Sequence, residues 1–286
     1  MKSYKKQVKY MQNIIFFGSG DYTIPVVERL LNYNLLLVIT TEKDGPLVKF
    51  CESKGVNYIS TDLKDENDIK VIQNVDPTVA VLASYGAFIP KEVIESIPNG
   101  IINIHPSLLP KWKGPSPIQY TLLNGDTQTG VTLIKLDNEI DHGPVLAQRK
   151  YDLSGTESTK DLLDILFSQG ADMLDDLLVK LESENTLDEI PQDHSKETWS
   201  YKISKKDGEI DPNNPPEKER LLNMIRAYYP WPTVWLRTEL KSQAKLVKLL
   251  PDDKIQVEGK NQMNFKDFIN GYDNEGKELL EKLNLR

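Results

Sequence analysis

Asn103 and His105 stand two positions apart in GIINIHPSLLPKWKG, which runs over residues 100–114. Side chains two apart on a strand share a face, so an amide and an imidazole project together. Ile102 and Ile104 then point the other way, into a core. Pro106 has no backbone donor to give and ends the strand. A third partner is at hand in Asp141, within the polar turn DNEIDHG at 137–143. A carboxylate beside a histidine favours the imidazolium and fixes its orientation. An asparagine amide is a neutral donor that can follow a developing oxyanion. Together they suit acyl transfer to an amine without a covalent enzyme intermediate. The chain has no G-x-S-x-G elbow, and its one cysteine, Cys51, reads as a small core hydrophobe on a helix. On pattern alone, His105 could also be structural and Asp141 a turn former.

Alternating strands and helices must position these residues. Apolar runs at 13–18, 35–40, 57–59, 79–86 and 101–105 read as strands, and 24–31, 46–54, 65–74 and 91–96 as the helices between them. The alternation predicts an α/β fold, a doubly wound and mainly parallel sheet whose strand carboxyl ends bind ligands. A helix at 117–124 and strands at 129–137 and 144–153 follow. The segment 156–187 then keeps apolar residues at helical spacing. A polar, Pro-rich passage over 190–216 leads to a helix at 217–227. The small β-rich tail has strands at 233–237, 245–249 and 254–257, and helices at 265–270 and 275–283. The division this predicts is a catalytic domain at 1–189, a linker at 190–208 and a short C-terminal domain at 209–286.

Gly18-Ser19-Gly20 closes the first strand like a dinucleotide-binding turn, but Thr23 occupies the third glycine's place and Glu42 is the nearest acid to the second strand. A tight strand-to-helix turn accounts for it better. His142, beside Asp141, could pair with His105 around a metal, yet the spacing matches no compact zinc signature, and no metal is expected. His194 reads as solvated, and Lys111 and Lys113 as solvated or as phosphate contacts. Trp112 reads as a loop cap or packing residue. Trp231 and Trp235, with Tyr228 and Tyr229, read as packing at a domain interface.

The net charge of −8 argues against broad nucleic-acid binding without excluding a local basic patch. The single cysteine rules out an intrachain disulfide framework. The basic start MKSYKKQVKYMQN has no apolar stretch behind it, no run is long enough to span a bilayer, and residues 1–10 read as a ragged extension. A cytoplasmic protein, not bound to membrane, is expected.

The sequences NIHPSLLPKWKG, GD, TGVTL and DHG, in this order, resemble the folate-dependent formyltransferases. PSPIQYTLLNGDTQTGVTLIKLDNEIDHGPVL is most similar to the branch of that family that acts on methionyl-tRNA. KISKKDGEIDP and RAYYPWP are similar to the family's passage into its second domain. The resemblance runs over about residues 12–236 and, more weakly, over EGKNQMNFKDFING, which is similar to the end of an OB-like C-terminal domain. It implies a Rossmann-like formyltransferase domain with a reduced OB-like tail. It also implies 10-formyltetrahydrofolate as donor and initiator methionyl-tRNA as acceptor, in a monomer. Asn103, His105 and Asp141 match the family's catalytic triplet. Ser107, Leu108, Leu109 and Pro110 match its folate-contacting loop. Leu82, Ala83, Ser84 and Tyr85, with Ile89 and Pro90, match the wall of its pterin pocket.

Two departures bear on the acceptor. Where the methionyl-tRNA branch usually carries a longer basic insertion, this chain has only EKDGPLVK, with two lysines and two acids, and its C-terminal domain is short. A sugar N-formyltransferase acting on a nucleotide-linked amino sugar is the alternative enzyme. A non-catalytic folate-binding module is the alternative outside catalysis. A glycinamide ribonucleotide formyltransferase would leave the region after Glu184 without purpose.

Overall fold

Short β-branched and apolar runs, bounded by glycine and proline, become buried strands because their backbone can be paired on both sides. The computed structural model describes residues 12–286; the expected extension over 1–10 lies outside the described residues. In chain order the elements are β1 (Asn13–Gly18), α1 (Ile24–Leu30), β2 (Asn34–Thr40), α2 (Pro46–Lys54), β3 (Tyr58–Ser60), α3 (Glu66–Asn74), β4 (Val79–Ala83), α4 (Lys91–Glu95), β5 (Ile101–His105) and α5 (Pro117–Leu123). They continue with β6 (Gln128–Lys135), β7 (Val145–Asp152), α6 (Thr159–Glu184), α7 (Lys218–Ala227), β8 (Val234–Leu240), β9 (Gln243–Leu250), β10 (Lys254–Val257), β11 (Met263–Asn264) and α8 (Phe265–Lys282).

Seven strands form one sheet in the order β3-β2-β1-β4-β5-β6-β7. The pairs from β3 to β5 are parallel, and β6 runs antiparallel to β5. The expected doubly wound sheet is therefore present. The chain steps outward from β1 on one side to β2 and on the other to β4. That reversal opens a crevice at the strand carboxyl ends, where such sheets take ligands. Ile101 packs with Ile72 of α3 and Val93 of α4 in a core that also holds Phe17, Ile39, Tyr85 and Ile89. Ile104 faces the other layer: a Cβ on Gly170 of α6 would sit 2.5 Å from its side chain. Asn103 and His105 alternate with Ile104 and so share the face of Ile101.

The chain divides into two compact units. Of the described residues, the first comprises 12–113, 130–150 and 164–198, and the second 114–129, 151–163 and 199–286. The helical segment 114–129 and the stretch 151–163, which the linear division placed in the catalytic domain, thus belong with the C-terminal part. In the second unit β8 to β11 form an open antiparallel sheet in sequential order. The reduced tail takes this form, a four-stranded meander. The two tail helices expected at 265–270 and 275–283 both lie within α8, separated at Asp273 by a non-helical backbone (φ 52°, ψ −129°). Tyr228 is buried as expected, whereas Trp231 is 56% exposed and is not packing core. Cys51 is buried on α2, its thiol pushed up to about 11 by burial. Among the described residues, no helix is long and apolar enough to cross a membrane.

Candidate active site

The carboxyl end of β5 brings the sequence-predicted triplet together. Asn103 Nδ2 donates to Asp141 Oδ1 at 3.2 Å, and His105 Nδ1 lies 3.4 Å from the same oxygen. All three side chains are buried. The second imidazole nitrogen, Nε2, is 2.9 Å from the Trp112 carbonyl. Both ring nitrogens thus face acceptors, which is the arrangement of a doubly protonated ring. Burial alone would lower the His105 pKa. The Asp141 charge and hydrogen bond, helped by the Trp112 carbonyl, outweigh it and hold the pKa above its ordinary value. Asp141 is the charged group facing the imidazole. Lys111 lies over the Trp112 ring, and Lys113 is turned to Glu197 and His194.

Backbone conformation supplies the aim. Asp141 (φ 49°) and Trp112 (φ 58°) both sit in the left-handed region, where side chains other than Asn or Asp are costly. In Trp112 the backbone does the work, presenting its carbonyl to His105. Gly143, closing the Asp141 turn, has no room for a side chain: a Cβ there would meet the Lys135 carbonyl oxygen at 1.8 Å.

The loop after β5 is pinned from below. Thr132 of β6 lies opposite His105 in the sheet register. Its hydroxyl donates to the Ser107 carbonyl (2.6 Å) and accepts from the Leu109 amide (3.1 Å) and Gln148 Nε2 (2.9 Å). The Ser107 hydroxyl donates to the Lys111 carbonyl at 2.6 Å, so it shapes the loop. Leu109–Pro110 is a cis peptide. On the neighbouring strand, Leu82 pairs in register with Asn103, which puts the expected pterin wall beside the triplet. Ala83 is buried, and Ser84 is exposed in the left-handed region (φ 52°). Tyr85 and Ile89 instead belong to the core, with the Tyr85 hydroxyl donating to the Thr61 carbonyl at 2.8 Å. Their side chains pack, which leaves Leu82, the exposed Ser84 and backbone groups as what this stretch can offer a ligand.

Several expectations change. Lys113 is neither solvated nor a phosphate contact: it is 1% exposed, with Nζ 2.6 Å from Glu197 and 3.2 Å from His194. His194 is not merely solvated, because its ring stacks on His142 at 4.1 Å between centroids. His142 Nδ1 turns to Asp137 at 2.7 Å. Glu42 accepts the Gly20 amide and, at 3.3 Å, the Leu47 amide. An internal carboxylate thus takes up the Gly20 amide of the glycine turn, which fits the plain-turn reading over a dinucleotide site.

Sequence reading missed the segment that follows α6. Ile190 pairs with Val145 in an isolated bridge, Gln192 reaches the Asp141 turn, and Thr198 accepts the Trp112 amide through its hydroxyl at 2.9 Å. A polar, proline-bounded stretch reads as linker. The one signal against this was its lone Gln and Thr among charged residues.

Known proteins resemble this chain in sequence and in fold. A family model described as formyl transferase matches residues 38–177. The chain is 30% identical to a methionyl-tRNA formyltransferase of Thermodesulfovibrio yellowstonii, over 90% of this chain and 95% of that protein. It is 35% identical to a protein of the same name from Roseiflexus castenholzii, over 82% of this chain and 80% of that one. Among solved structures, a sugar N-formyltransferase from a Shewanella species aligns with a TM-score of 0.66 at 18% identity, over 85% of this chain and 99% of its own. HypX of Aquifex aeolicus in complex with tetrahydrofolic acid aligns with a TM-score of 0.62 at 17% identity, over 84% of this chain and 37% of its own. These two share the fold. With the two relatives matched over most of both chains, this chain belongs to the formyl transferase family.

Proposed function

We propose that this formyl transferase moves a formyl group from 10-formyltetrahydrofolate to the free amine of initiator methionyl-tRNA. The observation that carries the reading is the shared Asp141 oxygen, which holds Asn103 and His105 side by side at the end of β5. The amine attacks the formyl carbon. An Asn103 N–H donates to the oxyanion that develops; an amide nitrogen has two hydrogens, and one is given to Asp141. Both His105 N–H groups are held by Asp141 and the Trp112 carbonyl, so the imidazolium stabilises the oxyanion through its charge. Asp141 keeps His105 charged and, through water, receives the proton that the amine sheds. Collapse of the adduct breaks the bond between the formyl carbon and N10 of the folate, and that proton passes to N10 as tetrahydrofolate leaves. The folate is a substrate, used once per turnover. The apolar strand end Leu82, Ala83 and Ser84 and the loop Ser107, Leu108, Leu109 and Pro110 suit a flat heterocycle held mainly through backbone groups. No charged side chain stands among these residues.

One observation favours a smaller acceptor, a nucleotide-linked amino sugar. The connection from β2 to α2 is short, and its Glu42 is turned inward onto backbone amides instead of presenting a basic grip. An acceptor panel separates the two. Purified protein with 10-formyltetrahydrofolate is offered initiator methionyl-tRNA, with and without RNase, and amino-sugar nucleotides. Formyl-methionine lost on RNase treatment is the expected result; formylated sugar with untouched tRNA supports the alternative.

A further inference from the structure

We propose that Gln192 is a positioning residue that holds the Asp141 carboxylate against His105. The inference rests on the assignment of Asn103, His105 and Asp141 as the transfer site and deepens it.

Gln192 Nε2 donates to the Asp141 carbonyl at 2.9 Å and to the Gly143 carbonyl at 2.7 Å. One amide group therefore bridges both sides of the turn that aims Asp141. The turn it bridges is the one in which Asp141 takes the left-handed conformation (φ 49°) that points its carboxylate at His105. The bridge is itself anchored: Ile190 and Val145 exchange backbone hydrogen bonds of 2.8 and 2.9 Å, which fixes the chain two residues before Gln192 beside the strand that leaves the turn. Gln192 is 8% exposed, and its buried Oε1 accepts no hydrogen bond among the described residues. Burying an amide with its acceptor unmatched is costly, so the two hydrogen bonds it donates must matter to the turn. The amide orientation is fixed by chemistry, since only Nε2 can donate to two carbonyls.

The charged groups around His105 leave Asp141 as the one whose position Gln192 controls. Its own strand β5 offers none, Lys113 is committed to Glu197 and His194, and His142 is committed to Asp137. Releasing the turn should let Asp141 move away from the imidazole, and the ring should then lose its proton at lower pH.

The test is an NMR titration of the imidazoles in the uncomplexed protein, which has three histidines to resolve. Wild type is compared with Gln192→Leu, Gln192→Asn and Asp141→Asn, together with kcat, KM and thermal stability. Asp141→Asn should lower the His105 midpoint. Gln192→Leu should lower it by roughly half a pH unit or more. It should cut kcat about tenfold with both KM values within about twofold, because small misplacements of catalytic groups cost rate before binding. Gln192→Asn keeps the amide with a shorter reach and serves if the Leu variant fails to fold; its midpoint should also fall. If the Gln192 variants lose thermal stability alone, with the His105 midpoint and kcat unchanged, the residue is purely structural and the inference fails. If Asp141→Asn leaves the His105 midpoint unmoved, the reading of the site fails and the inference falls with it.

Discussion

One carboxylate oxygen of Asp141 faces both an amide nitrogen and an imidazole nitrogen, and much of the proposed chemistry depends on that coincidence. Asn103→Ala, His105→Ala and Asp141→Ala should each lower turnover by about two orders of magnitude or more, the range for one oxyanion donor or general acid–base group. Steady-state kinetics on folded variants check this. The raised His105 pKa gives a sign as well. The imidazolium is the useful form, so kcat should hold at lower pH and fall as pH rises through the folded-state value. Asp141→Asn should move that fall to lower pH. The same shift stabilises the fold: its contribution is complete below about 6.5 and is lost as pH climbs through the raised pKa. The triplet was legible because alternate polar residues in an apolar strand have few places to go. Lys113 and Gln192 were not, since nothing local marks a lysine or a glutamine as buried; their partners Glu197 and Gly143 lie far along the chain.

At the level of elements, the turns carry the constraint. Gly143→Ala would drive a methyl into the Lys135 backbone, and a loss of about 3 kcal/mol is expected in denaturant unfolding, with activity falling through displacement of Asp141. Glu157 closes the loop before α6, accepting the amides of Ser154 (2.9 Å) and Gly155 (3.1 Å) and the Tyr151 hydroxyl (3.2 Å). Its burial would raise its pKa, but these hydrogen bonds outweigh burial and hold it at about 2. A depressed carboxylate stabilises above its ordinary value and loses that contribution as pH falls. Glu157→Gln should therefore destabilise at neutral pH and flatten the loss of thermal stability between about pH 4.5 and 2. Hydrophobic period located these elements well: β10 and α2 fall at the expected bounds. Strand direction is not written in that period, so the reversal at β6 came from the structure.

The whole molecule is acidic, its C-terminal tail is close to neutral, and its Trp231 is exposed. An RNA acceptor would have to be drawn to a local patch against the overall charge, and such binding is sensitive to salt. The KM for methionyl-tRNA should therefore rise steeply with ionic strength, while that for the folate changes little. Fold class and catalytic chemistry were readable from sequence because each is set by local pattern. Acceptor choice was not, because it depends on how a short loop and a shortened tail meet a large partner. The most direct measurement is multiple-turnover formylation of initiator methionyl-tRNA by 10-formyltetrahydrofolate, with wild-type protein and His105→Ala side by side. The account predicts many formyl-methionyl-tRNA molecules per wild-type enzyme and a collapse of that rate in the variant. No formyl-methionine from folded, folate-binding wild-type protein would contradict it.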